Sequence, residues 1–174
     1  MQTTLQRLTT LVLIIAALSG AFTQVDHAAA GGNIGPKAML QAYYAQYINL
    51  RDFWNAYQMW IAPPQTYNDF VNGYADTSYV TAYFGGYQAG AVSTVDGSVP
   101  GILIGHHTDG TLVAYQGCYD LRFNPVESGM RQWLIAGASF EQMTYIPSEQ
   151  MITGGLLQFE CSSYRKLPNS EGYY

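Results

Sequence analysis

Residues 40–76 read LQAYYAQYINLRDFWNAYQMWIAPPQTYNDFVNGYAD. Leu40, Tyr43, Tyr44, Tyr47 and Ile48 recur at the three- and four-residue spacing that sets apolar side chains on one helical face. Pro36 suits the first turn of that helix, where a missing N–H has no intrahelical partner to lose. Asn49-Leu50-Arg51-Asp52 interrupts the period, and Asp52 carries an oxygen and a charge fitted to the start of a second helix. Phe53, Trp54, Tyr57, Trp60 and Ile61 resume the pattern until Pro63-Pro64 stops it. Thr66, with Asp69 three residues on, is an N-cap signature, and Tyr67, Phe70, Val71 and Tyr74 follow on one face. The stretch therefore predicts three short helices in succession.

Beyond Asp76 the period changes to that of strands. Ser78–Phe84 is a strand expectation ending at Gly85-Gly86, and Ala89–Val95 a weaker one closed by Asp96-Gly97. Val99–His107 and Thr111–Phe123 flank Thr108-Asp109-Gly110, a hairpin signal because Asp-Gly accepts the positive φ that tight turns require. Val113, Tyr115, Tyr119, Leu121 and Phe123 alternate onto one face with Gly117 among them, a glycine that marks a bend or a close approach. A turn over Asn124–Gly129 and a last long strand over Arg131–Met143 follow. Pro147–Tyr174 reads as a tail with a short strand at Leu156–Phe159. Helices first and antiparallel strands afterwards predict an α+β domain. Three N-terminal helices pack on a strongly curved antiparallel sheet, cone-shaped and cystatin-like, and enclose a pocket.

The 174 residues fit one domain with extensions. Residues 1–30 read as a secretory signal peptide: Arg7 is basic, Leu8–Phe22 is mostly apolar, and Ala28-Ala29-Ala30 supplies small residues for cleavage. The apolar run is shorter than a bilayer span, so no stable membrane span is expected after cleavage. Residues 31–36 form a flexible linker, 37–143 the folded domain and 144–174 the tail. Location is expected outside the cytoplasm, secreted or periplasmic. Removing the leader takes out Arg7 and Asp26 and leaves the net charge at −5, which offers no footprint for a phosphate backbone and argues against nucleic acid. Only 11% of residues are charged and 14% are aromatic, a composition of pocket walls and adhesive surfaces. Cys118 and Cys161 most simply form one disulfide that holds the tail to the hairpin, closing a loop worth about 3–4 kcal/mol.

From about Ala38 to Met143 the chain resembles the nuclear-transport-factor-2-like (SnoaL-like) superfamily. The resemblance is carried by Ala42-Tyr43-Tyr44, by Asn49-Leu50-Arg51-Asp52-Phe53 with Ala56-Tyr57, and by Tyr67-Asn68-Asp69-Phe70-Val71 with Gly73-Tyr74-Ala75-Asp76-Thr77. Asp109-Gly110-Thr111, Tyr115-Gln116-Gly117-Cys118-Tyr119-Asp120-Leu121-Arg122 and Gln132-Trp133-Leu134-Ile135-Ala136-Gly137-Ala138-Ser139 complete it. It implies a cone of helices on a bent sheet. It implies no reaction, because members include enzymes, ligand carriers and dimerisation modules.

Enzymes on this scaffold use an Asp and a His inside the cone, which makes His106 and His107 the residues to weigh. They are adjacent on a strand, so at most one faces inward, and their place beside the turn suggests solvent. Two neighbouring strand histidines with Asp109 do not converge on an ion, so no metal is expected. Asp52 and Asp69 are explained as helix-start residues, and Asp120 as a surface partner of Arg122 or Arg131. No nucleophile elbow or phosphate loop appears, and no cofactor is expected. Tyr43, Tyr47, Trp54, Tyr57, Tyr115, Tyr119 and Trp133 are the expected pocket or core residues. The reading is an exported, non-catalytic binding module for a small apolar or aromatic ligand or a protein partner, with homodimerisation through the open sheet face or contact with an envelope protein. The alternative is an isomerase-, dehydratase- or cyclase-like enzyme using a His/Asp pair in the cavity.

Overall fold

The structure, a computed structural model, describes residues 34–90, 96–125 and 131–164. The expected signal segment, residues 91–95 of the weaker strand and most of the turn after Pro125 lie outside the described residues. Helix α1 (Pro36–Ala42) runs without a break into a π-helical stretch, Tyr43–Ile48. Helices α2 (Phe53–Gln58) and α3 (Tyr67–Asn72) follow. Both start as their sequences predict. Asp52 accepts the Asn55 N–H at 3.4 Å, and Thr66 accepts the Asp69 N–H at 3.3 Å. The Thr66 hydroxyl also donates to the Asp69 carboxylate at 2.6 Å, which holds that carboxylate at the positive end of α3.

Strands β1 (Thr77–Phe84), β3 (Asp96–His107), β4 (Leu112–Pro125) and β5 (Arg131–Gln142) form a curved antiparallel sheet in the order β1-β3-β4-β5, and the short β2 (Gln88–Ala89) also pairs with β3. Asp96-Gly97, read from sequence as a turn, is instead the start of β3, with Gly97 opposite Ala89. A side chain at Gly97 would strike the Gln88 carbonyl and the Tyr87 ring, so glycine there permits the strand contact. Pro100 explains why β1 and β2 are separate: it faces Gly85, accepts that residue's N–H at 2.9 Å and has no N–H to return. The hairpin forms as expected, with Gly110 at φ 87° and the Thr111 N–H on Asp109 at 2.8 Å. Irregularities in pairing lie between Thr77 and Tyr79 and between Asp120 and Leu121, and such bulges sharpen local twist.

The helices cover one face of the sheet. Met39, Leu40, Tyr43, Tyr44, Ile48, Ala56 and Phe70 pack there with Val80, Phe84, Val99, Tyr119, Leu121 and Ile135. Arg51, at φ 63° between the π-helical stretch and α2, fastens the layers by donating to the carbonyls of Tyr74, at 2.8 Å, and of Thr77. After α2 the chain lies along the edge of β5: the Ile135 N–H donates to Met59 at 2.8 Å and the Ile61 N–H to Ile135 at 2.9 Å. No helix of the described residues is long and apolar enough to cross a membrane.

The opposite face is covered in part by the C-terminal segment. Helix α4 (Glu149–Met151), a second π-helical stretch (Ile152–Leu156) and α5 (Cys161–Tyr164) run across it. Ile152 is buried against Ile102, Ile104 and Ala114. The short strand expected at Leu156–Phe159 does not form. Gly155, at φ 136°, breaks the helical turn, and the segment's backbone is held by side chains. The Gln88 amide donates to Phe159 O at 2.7 Å and accepts the Cys161 N–H at 2.9 Å, while Gln116 donates to Leu156 O at 3.3 Å.

The Cys118–Cys161 disulfide spans 43 positions. Replacing both cysteines by alanine is expected to cost about 3–4 kcal/mol in urea unfolding. Limited proteolysis should then cut residues 149–164 while the β3–β4 amides keep their exchange protection. Unchanged cleavage, or loss of protection across the whole sheet, would contradict this division of stability.

Candidate functional site

A cavity of about 270 Å³ lies between the helices and the covered sheet face. Its walls are aromatic: Tyr43, Tyr44, Trp60, Phe70, Tyr74, Tyr119 and Phe140 contribute, with Val80, Leu103 and Ala138 between them. The π-helical stretch places two consecutive residues here. Its wider turn rotates less per residue than an α-helix, so Tyr43 and Tyr44 both point inward and are almost fully buried. Tyr47, expected on the same face, packs at the edge of the core.

Phenol hydroxyls converge at one side. The Tyr44 and Tyr119 hydroxyls lie 2.5 Å apart, Trp60 Nε1 donates to the Tyr43 hydroxyl at 3.1 Å, and Tyr74 lines the same cavity. Burial raises the pKa of all four tyrosines, and their mutual proximity adds to the effect at Tyr43, Tyr44 and Tyr119. Tyr74 is pushed up to about 12, chiefly by burial. At neutral pH the cluster is uncharged and hydrogen-bonded, and it can both donate and accept. Among the described side chains lining the cavity, none is a lysine, arginine, aspartate or glutamate.

His107 stands at the rim. Its Nδ1 faces Asp76 Oδ2 at 3.2 Å, with the imidazole about one-fifth exposed and the carboxylate largely in solvent. Two backbone features bring the pair together: the Thr108 N–H donates to Asp76 O at 2.8 Å, and Gly105 beneath the ring has no side chain. A β-carbon on Gly105 would lie 4.0 Å from His107 Nε2, so the ring leans back over that glycine toward the cavity. His106 faces the other side. It stacks on Tyr79 with ring centroids 3.8 Å apart, and its Nε2 meets the Thr81 hydroxyl at 3.0 Å. Neither imidazole is the freely solvated turn residue that the sequence suggested, because His106 packs on its cross-strand neighbour Tyr79 and His107 pairs with Asp76. Asp109 belongs to the turn, and the Thr111 N–H and then its hydroxyl hold the carboxyl below its ordinary range.

Of the seven aromatics expected at a pocket or core, Tyr43, Tyr115 and Tyr119 line this cavity. Tyr57 packs on Tyr67 and Phe70 and donates its hydroxyl to Gln65 O at 2.9 Å. Trp54 is more than half exposed on the outer side of α2, edge-on to Tyr67. Trp133 lies beyond the β5 irregularity, between Tyr87 and Phe123. Asp120 accepts the Ser98 hydroxyl at 2.7 Å, whereas Arg122 pairs with Asp96 at 2.8 Å. Helical phase alone could have indicated Trp60, Phe70 and Tyr74. Nothing in the sequence marks Leu103, Ala138 or Phe140 as their neighbours.

No protein-family model and no curated protein matches the chain. Among solved structures it is similar to an NTF2-like protein of unknown function from Exiguobacterium sp. 255-15, at 12% identity and a TM-score of 0.40, over 60% of this chain and 94% of that one.

Proposed function

We propose that the domain is an exported binding module whose cavity holds a small, neutral, largely apolar ligand with one polar oxygen. The observation that carries this reading is the cluster of protonated phenols at one side of an otherwise apolar chamber of about 270 Å³. Apolar walls supply affinity through burial, and a few placed hydroxyls fix orientation. A formally charged ligand would find no counter-ion among the described lining residues. The chamber is small by the standard of drug-sized sites, which favours a monocyclic or bicyclic molecule. The disulfide and the apolar leader favour an oxidising, extracytoplasmic setting. A homodimer or an envelope protein is a compatible partner, and the low charge and many tyrosines support such contacts.

A panel of cyclic ketones and alcohols tests the reading by thermal shift and native mass spectrometry. A true ligand at a hundredfold excess over its Kd adds about 3 kcal/mol of stability. Ala138→Phe, which fills the chamber from β5, is expected to remove that gain while the variant stays folded. Only ligand-free protein across the panel, or equal gains with and without Ala138→Phe, would overturn it.

The rim favours a second reading. Asp76 and His107 form a carboxylate–imidazole pair with His107 in the cavity lining, an arrangement suited to proton transfer in an isomerase-, dehydratase- or cyclase-like reaction. Deuterium uptake by a bound ketone next to its carbonyl, abolished by His107→Asn, would support it. Uptake that is absent, or unchanged by the substitution, leaves binding alone.

A further inference from the structure

Strand β1 is an edge of the sheet, and its outward hydrogen-bonding groups are used only in part. Antiparallel pairing turns alternate residues toward and away from the partner strand. Gly85 faces inward, donating to Pro100. Val80 faces outward, where the Asn49 side chain acts as a one-residue strand: its Oδ1 accepts the Val80 N–H at 2.8 Å and its Nδ2 donates to the Val80 carbonyl at 2.9 Å. By the same alternation Ala82 and Phe84 present their N–H and C=O groups outward, and no described residue outside the sheet bonds to either.

Those two residues open onto a groove of about 470 Å³, separate from the aromatic cavity. Lys37 and Gln41 of α1 form one wall, and residues between Ile152 and Gln158 form the other. Gly85 and Gly86 extend the floor without side chains, and a β-carbon on Gly86 would meet nothing within 4 Å. Lys37 is the one charged side chain among the described residues lining the groove; it is exposed, and it makes no ion pair among the described residues.

We infer that this groove takes an extended peptide segment of a partner protein, added as an outer strand beside Ala82–Phe84, with an acidic side chain set against Lys37. Strand addition supplies main-chain hydrogen bonds for affinity, and the flanking pockets and charge supply selectivity. A second copy of this chain is the poorer occupant. Its own β1 reads TSYVTAYF and carries no carboxylate. Its α1 and C-terminal segment would also have to enter the space taken by these walls.

The test titrates the isotope-labelled full chain with an acetylated, amidated hexapeptide of alternating threonine and valine ending in aspartate. Comparison peptides carry asparagine at the end or N-methyl groups at alternate residues. Saturable shifts and exchange protection at the Ala82 and Phe84 amides are expected, with binding weakened about tenfold by N-methylation, which removes the donors. The asparagine peptide is expected to bind about fivefold more weakly, the scale of one exposed ion pair. Lys37→Glu should cost the aspartate peptide more than that and leave the asparagine peptide unchanged. Absence of binding, shifts confined to the aromatic cavity, or indifference to N-methylation would overturn the inference. So would protection of the same amides in peptide-free protein that grows with protein concentration, which would assign the edge to a second copy.

Discussion

Gly117→Val is expected to remove a large share of the domain's stability, whereas Gly86→Ala leaves stability within about half a kcal/mol. At Gly117 the β4 backbone lies against β5. A β-carbon there would overlap the Ser139 carbonyl oxygen and sit 2.6 Å from Phe140 Cα and 2.7 Å from the Phe140 ring. Two of these neighbours are main chain inside a paired ladder, so relief requires the strands to separate, not a side chain to rotate. Overpacking a tight site costs about 1–3 kcal/mol when side chains can yield. Here the figure is on the order of 4 kcal/mol, a large share of the stability of a small domain. Gly86 meets nothing within 4 Å and serves as the control. Urea unfolding followed by circular dichroism reads both variants. A Gly117→Val protein with a wild-type midpoint would show that β4 and β5 are farther apart than described.

Stability is also expected to fall steeply above pH 10. Tyr43, Tyr44, Tyr74 and Tyr119 have folded pKa values above the ordinary 10.0, with burial as the largest cause in each case. A phenol is neutral below its pKa, so burial favours the protonated form and the folded state holds its protons longer. Below pH 10 both states are protonated and these groups leave stability independent of pH. Above it the unfolded chain releases protons that the folded chain retains, and stability drops as pH rises toward the folded values. Each such tyrosine contributes a slope of about 1.4 kcal/mol per pH unit. Four together remove about 5 kcal/mol by about pH 11. Urea midpoints measured from about pH 8 upward, alongside tyrosinate absorbance, check this. Tyr119→Phe should flatten the slope by one group's share. A midpoint that stays level to about pH 11 would mean that these hydroxyls reach solvent.

The helix starts were legible because capping is local. Asp52 and Thr66 each lie three residues from the N–H they accept, and no distant contact is needed to read them. Asp109-Gly110 was legible for the same reason, since the turn's conformation is set by its own residues. The strand alternation in β4 placed Tyr115 and Tyr119 on one side of the sheet, and that side faces the cavity. Gly117 read as a close approach, and β5 supplies the atoms that approach it.

The cavity's membership was another matter. Periodicity reports which face a residue occupies and is silent about which other face it meets. Periodicity put Tyr43, Tyr44 and Tyr47 on one helical face, and only packing decides that Tyr43 and Tyr44 are buried while Tyr47 sits at the edge of the core. Trp54 and Trp133 have the right composition and lie elsewhere, one on an exposed helix surface and one beyond the β5 irregularity. His107 meets Asp76 only because the hairpin end is bonded to the junction of α3 and β1.

The succession of three helices and then strands, the caps at Asp52 and Thr66, the Asp109-Gly110 turn and the α+β class follow from interactions within a few residues, and they were determined by sequence alone. Which phenols converge, which imidazole reaches the cavity, how the C-terminal segment covers the second sheet face and where β1 stays open were decided by tertiary structure. Those features depend on strand register, a widened helical turn and contacts between residues tens of positions apart, and free energies of that kind belong to the packed whole.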